Sequence, residues 1–267
     1  MIMRISEFFA ELKRRSSLMY YSGWIMLITF GLLIIPLLID DRTVLGINAW
    51  IKPMKFCISL AFYFWAFSWL LHDIQKPWHR LKKGLLWTVF LSMFIEIVII
   101  LIQGGRGVRS HFNFDSSMDA LMFGTMGIFV TINTVCIVIL MIMYFFKHDN
   151  LQPNYLLGVR LAMVIFVAGN MIGGIMISNM QHSIGVSDGG AGLPFVNWSK
   201  SGGDLRIGHF LGLHSIQIIP LISYWVVMKV DSLSRQKLII IVASFVYALL
   251  VFLLTMQALA GSPLIRG

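Results

Sequence analysis

The chain has 267 residues, 58% of them hydrophobic and 12% charged, with a formal net charge of +9 and a mean hydropathy of +0.81. A soluble domain of this length carries roughly twice that charged fraction, so an ordinary water-soluble protein is excluded. An integral membrane protein forming a single compact bundle is expected.

The excess of bases falls in short segments between apolar runs, which fits membrane orientation and speaks against nucleic acid as a partner. Cys57 and Cys136, the two cysteines, both lie in apolar runs. That excludes a disulfide framework and reads as buried free thiols.

Residues 1–18 place Ile5, Phe8, Phe9 and Leu12 at helical spacing, followed by Lys13, Arg14 and Arg15. This predicts a short amphipathic helix lying at the cytoplasmic membrane surface. The apolar run after it is too long for a secretory signal, and Asp40 and Asp41 follow it where a small-residue cleavage site would stand. An uncleaved anchor is expected.

Residues 19–267 form one domain with seven apolar runs able to cross a hydrocarbon core of about 30 Å. They lie near 19–39, 50–71, 84–103, 118–146, 155–178, 207–228 and 237–259. The fold class is therefore an all-α integral membrane protein, a seven-transmembrane helix bundle.

Arg4, Lys13, Arg14, Arg15, Lys76, Arg80, Lys82, Lys83, Lys147, Lys229, Arg235 and Lys237 fall on one side. Arg42, Arg106, Arg109, Lys200, Arg206 and Arg266 fall on the other. This bias puts the N-terminus in the cytoplasm and the C-terminus outside, in the periplasm of a bacterial inner (plasma) membrane.

Three outer segments then carry unusual chemistry. Before the second span, Asn48, Lys52, Lys55 and Ser59 recur on one helical face. They read either as lysines snorkelling to the interface or as a cationic stripe facing an anion. In the third span Glu96 and Gln103 share a face, with Glu96 roughly 10 Å below the outer boundary. An intramembrane carboxylate is a functional candidate, or a helix-pairing one.

Arg106, Arg109, Ser110, His111 and Asn113 follow in a glycine-punctuated turn, where Asp115 or Ser116 is placed to cap the fourth span. The third segment, 179–206, is long for a bundle loop. Its Leu193, Pro194, Phe195, Val196 and Trp198 suggest a lid folded back over the helices. Asp188 with Gly189, Gly190 and Gly192 reads as a turn, since the spacing is no phosphate-loop signature.

Asp204 and Arg206 precede the sixth span, the acid favouring its N-terminal dipole. His209 and His214 are five apart and so point about 140° from one another, whereas a one-helix zinc pair sits four apart. His214 and Gln217 share a face, as do Gly208 and Gly212, which allows close approach. Gly169, Gly173 and Gly174 in span five read as helix packing.

Four of the seven histidines, His111, His182, His209 and His214, map to the outer half. Their clustering with arginines and a carboxylate points to a metal- or haem-dependent membrane enzyme or redox protein. The cofactor would be haem b or a His-bound Zn, Cu or Fe. Expected metal ligands are His111, His209 and His214, with His182 as a further donor. Glu96 would move protons, Arg106 and Arg206 would clamp an anion, and Asp204 would stand beside them. Lys52, Lys55, Gln103, Arg109 and Gln217 would contact the cofactor.

Seven spans with Ser, Asp and His resemble the membrane zinc hydrolases that include ceramidases and adiponectin-type receptors, but H-x4-H stands here where they have H-x3-H. The alternative is a transporter or binding protein for a small anionic solute, with Glu96 as its proton-coupling group. Asn133 and Arg160 are the hints of a polar path to the inner face. Expected partners are the lipid bilayer, a small anionic ligand and a quinone or other redox partner. A retinal pump is excluded because the last span has no interior lysine.

Overall fold

The structure, a computed structural model, describes residues 4–74, 78–146 and 150–266; Lys76 and Lys147, assigned to the cytoplasmic side, lie outside the described residues. The chain runs α1 (Ile5–Arg15), α2 (Ser17–Leu32), α3 (Ile34–Ile39), β1 (Thr43–Val44), β2 (Ile47–Asn48), α4 (Ile51–Asp73), α5 (His79–Arg106) and α6 (Ser117–Phe145). It continues through α7 (Pro153–Asn179), β3 (Ser183–Ile184), β4 (Gly203–Asp204), α8 (Leu205–Lys229) and α9 (Leu233–Leu259).

Counting α2 and α3 as one, seven helical spans among the described residues are long and apolar enough to cross a membrane. The protein is an all-α membrane bundle. The largest boundary shift is at α5, which begins at His79 because hydropathy marks only the part of a helix inside the apolar core. The charged first turns, HRLKK, extend beyond it.

The break between α2 and α3 falls at Leu33, three residues before Pro36. Proline has no N–H to give the carbonyl four residues back, and its ring crowds that carbonyl.

Helices α7 and α8 pack most intimately. A Cβ on Gly169 would stand 2.7 Å from the Gly212 backbone, and one on Gly212 would stand 2.5 Å from Gly169 Cα. Their backbones touch where no other residue fits. Gly208 admits Thr255 and Gly173 admits the His209 ring, whereas Gly174 faces open space. The expectation of close packing therefore fails at Gly174.

Helix α1 is tied to the end of α4. Arg15 bonds Asp73 at 2.6 Å and lies over the Trp69 ring, and Phe9 packs against Trp24 and Trp65.

The loops collect at two ends of the bundle. At one end Arg42 bonds the Gly105 carbonyl, Asn197 bonds the Leu45 carbonyl, and Gly203 passes directly against Ala258. At the other, Gln152 and Asn154 both bond Gln236. The first end, the lid end, holds the segment 180–204, whose base is closed by β3 pairing antiparallel with β4.

Candidate functional site

Helix α4 opens the site with three polar residues on one face, each meeting a different part of the chain. Lys52 Nζ lies 3.1 Å from His111 Nδ1, Lys55 donates to the Val196 carbonyl of the lid at 3.0 Å, and Ser59 lies 3.2 Å from His214 Nε2. Asn48 does not extend that face. It sits in β2, bonds the Asp40 carbonyl and accepts from Trp50 N, because α4 starts three residues later.

These contacts fix ring tautomers. An ammonium only donates, so His111 Nδ1 is the acceptor of the Lys52 bond. That leaves Nε2–H facing Glu96 Oε1 at 3.7 Å, an opposition too long for a hydrogen bond. Glu96 is 3% exposed, and its other oxygen has no partner among the described residues. Lys52 also lies close enough to Glu96, Lys55, Arg206 and Asp188 for their charges to act on it.

Beside His111 opens a cavity of about 170 Å³, walled by Leu45, Arg109, His111, Phe112, Met180, Gln181, His182, Ser187 and Asp188. His182 Nδ1–H donates to Asp188 Oδ2 at 2.6 Å, and the backbone N–H groups of His182 and Ser183 donate to the same carboxylate. Burial pushes the Asp188 carboxyl up. The His182 ring and the two backbone donors outweigh this and hold it well below the usual carboxylate range. His111 is held well below the ordinary imidazole value, first by burial and then by the positive fields of Lys52, His182 and His209.

The backbone here is strained. Leu45, Phe112, Met180, Phe195 and Asn197 are the described non-glycine residues at positive φ, and all five lie at the lid end. Left-handed backbone costs an L-residue roughly 1–2 kcal/mol, and such strain concentrates at functional sites.

The remaining expected site residues divide. His209 donates Nδ1–H to the Gly169 carbonyl at 2.8 Å and stays within electrostatic reach of His111. His214 donates to Phe210 O, and its other nitrogen faces Ser59. Arg206 lies inside the first turn of α8 and not before it, because Asp204 itself is the N-cap and accepts from Arg206 N. The Arg206 guanidinium binds both Asp204 oxygens and the Asn197 carbonyl, so it pins the lid to α8.

Arg106 binds Asp119 and Gln103, and Gln103 also donates to Asp119. The three tie α5 to α6 outside the cavity wall. Gln217 Oε1 is buried with no partner among the described residues. Ser116, one of the two expected caps, caps α6 by accepting from Asp119 N.

Among the described residues, no group of three His, Cys, Asp or Glu side chains is drawn together closely enough to hold a metal ion.

No family model, curated protein or solved structure matches the chain. The resemblance to membrane zinc hydrolases thus rests on span number and residue types alone.

Sequence reasoning missed Asp188 as the partner of His182 and Lys52 as the partner of His111. The first had a local signal, an acid six residues after a histidine in a glycine turn. The second joins segments 59 residues apart and left none.

Proposed function

We propose that the protein binds a small anionic solute in the cavity between the α5–α6 loop and the lid. The observation that carries this reading is the distribution of charge. Arg109 stands in the wall with its guanidinium 3.8 Å from Asp115, and Lys52 stands behind His111, while the wall's carboxylate, Asp188, is already engaged by His182. A unit charge about 4 Å from an opposite one gains about 4 kcal/mol at the effective dielectric of such sites.

The cavity falls below the roughly 300–1,000 Å³ of ordinary ligand pockets, which favours a small ion over a haem macrocycle or a quinone. A site at one end is also favoured over a path through the bundle. Asn133 accepts from Tyr63 OH in a buried pair, and Arg160 bonds the Tyr144 and Phe146 carbonyls at the end of α6. Both are satisfied locally.

The test is equilibrium anion binding to the protein in nanodiscs, read by tryptophan fluorescence. Arg109→Gln weakens binding at least tenfold on this account; equal affinity in both proteins would refute it.

A second reading, a metal-dependent membrane enzyme, draws on one observation. His182 and His209 each have Nδ1–H fixed by an acceptor, Asp188 and the Gly169 carbonyl respectively. That is how metal-ligating histidines are oriented, with Nε2 left for the metal. About one equivalent of Zn, Cu or Fe in protein purified without chelator, lost in His182→Ala, would favour this reading.

The lid end is proposed to face outward across the plasma (bacterial inner) membrane, because bases are denser at the opposite end. A membrane-impermeant thiol reagent reaching Ser201→Cys in intact cells would bear this out; labelling only after lysis would reverse it.

A further inference from the structure

The polar half of the cavity explains an anion, but the other half of its wall is apolar and is made in an unusual way. Leu45, Phe112 and Met180 line the cavity, and their φ angles are 50°, 52° and 54°.

Two of the three occupy positions whose geometry prefers a different residue. Leu45 and Gly46 form the two-residue turn between β1 and β2, both at positive φ, a turn that favours asparagine or glycine first. Met180 ends α7 in the left-handed conformation, its N–H bonded to the Ile177 carbonyl and Gln181 N to the Met176 carbonyl. That is the helix-ending position where glycine is usual and asparagine is the common substitute. At each the chain carries a large apolar side chain where a small or polar one would relieve strain. All three line one cavity, and at Leu45 and Met180 the strained residue puts apolar surface into its wall.

We propose that the anion carries a short apolar tail: the cavity takes a short-chain monocarboxylate, its carboxylate toward Arg109 and its hydrocarbon against Leu45, Phe112 and Met180. The proposal rests on the anion-site reading above and sharpens it. An inorganic oxyanion would leave the cavity-facing part of the apolar wall without a partner. The cavity's volume, about 170 Å³, limits the tail to a few carbons.

The experiment is a series of affinities for formate, acetate, propionate and butyrate, with nitrate and inorganic phosphate alongside, on the full chain in nanodiscs. Burying one more methylene raises affinity about fourfold, so the series climbs by that step until the cavity fills, and nitrate and phosphate bind more weakly than propionate. A flat series, or phosphate or nitrate binding as tightly as propionate, overturns the tail while leaving the anion site standing. Absence of binding by all six overturns both.

Leu45→Asn and Met180→Asn provide an independent arm, because asparagine suits both backbones and folding is not put at risk. Both variants melt no lower than the parent, and their propionate-to-formate affinity ratio falls toward one. An unchanged ratio in both variants overturns the role given to the apolar wall.

Discussion

Lys52 and His111, 59 residues apart in sequence, meet through Nζ and Nδ1 at 3.1 Å beneath the lid. The contact joins the first turn of α4 to the loop after α5, and it decides which way the His111 imidazole presents its proton. Lys52 also places a positive charge behind the cavity wall, so Lys52→Met weakens anion binding at least tenfold, measured as the shift in half-saturation, while helicity by circular dichroism stays unchanged.

The lid is held by Asp188 accepting from His182 Nδ1, His182 N and Ser183 N. Asp188→Asn replaces a full charge with an amide that matches fewer of these donors. Amide hydrogen exchange over residues 182–206 is expected to accelerate at least tenfold, with exchange in the middle of α4 unaffected.

Gly169 and Gly212 bring α7 and α8 into backbone contact. Gly169→Ala forces the helices apart, and overpacking of this kind costs about 1–3 kcal/mol. Gly174→Ala enters open space and serves as its control. Thermal unfolding in detergent should drop for the first and not for the second.

Acid should loosen α1. The Glu11 carboxyl is drawn down to about 2, first by its hydrogen bond from Arg14, with burial opposing and Arg15 adding to the pull. A carboxylate whose folded-state value lies below its ordinary 4.5 contributes stability above that pH and loses it as the pH falls. Tryptophan fluorescence from Trp24 and Trp65, which Phe9 packs against, is expected to change between about pH 4.5 and 2. In Glu11→Gln that acid transition should be absent.

Much of this was legible in the sequence. The spans follow from apolar runs, which report burial in lipid directly. Helical spacing put Lys52, Lys55 and Ser59 on one face of α4, but it put Asn48 there too, which sits in β2.

Pairing was not legible. Arg106 and Arg206 look like anion clamps in sequence because a free arginine and one already tied to Asp119 or Asp204 carry the same letter. Their partners are chosen by tertiary geometry. The strained positions were hidden for the same reason. Leucine at 45 and methionine at 180 read as ordinary apolar residues until the backbone shows the conformation they occupy.

The anion site itself is tested most directly by a crystal structure of the protein grown with bromide, using the anomalous signal of the ion. The account predicts a bromide peak in the cavity beside Arg109, lost in Arg109→Gln. Peaks confined to the solvent-exposed surface, with none in that cavity, would contradict it.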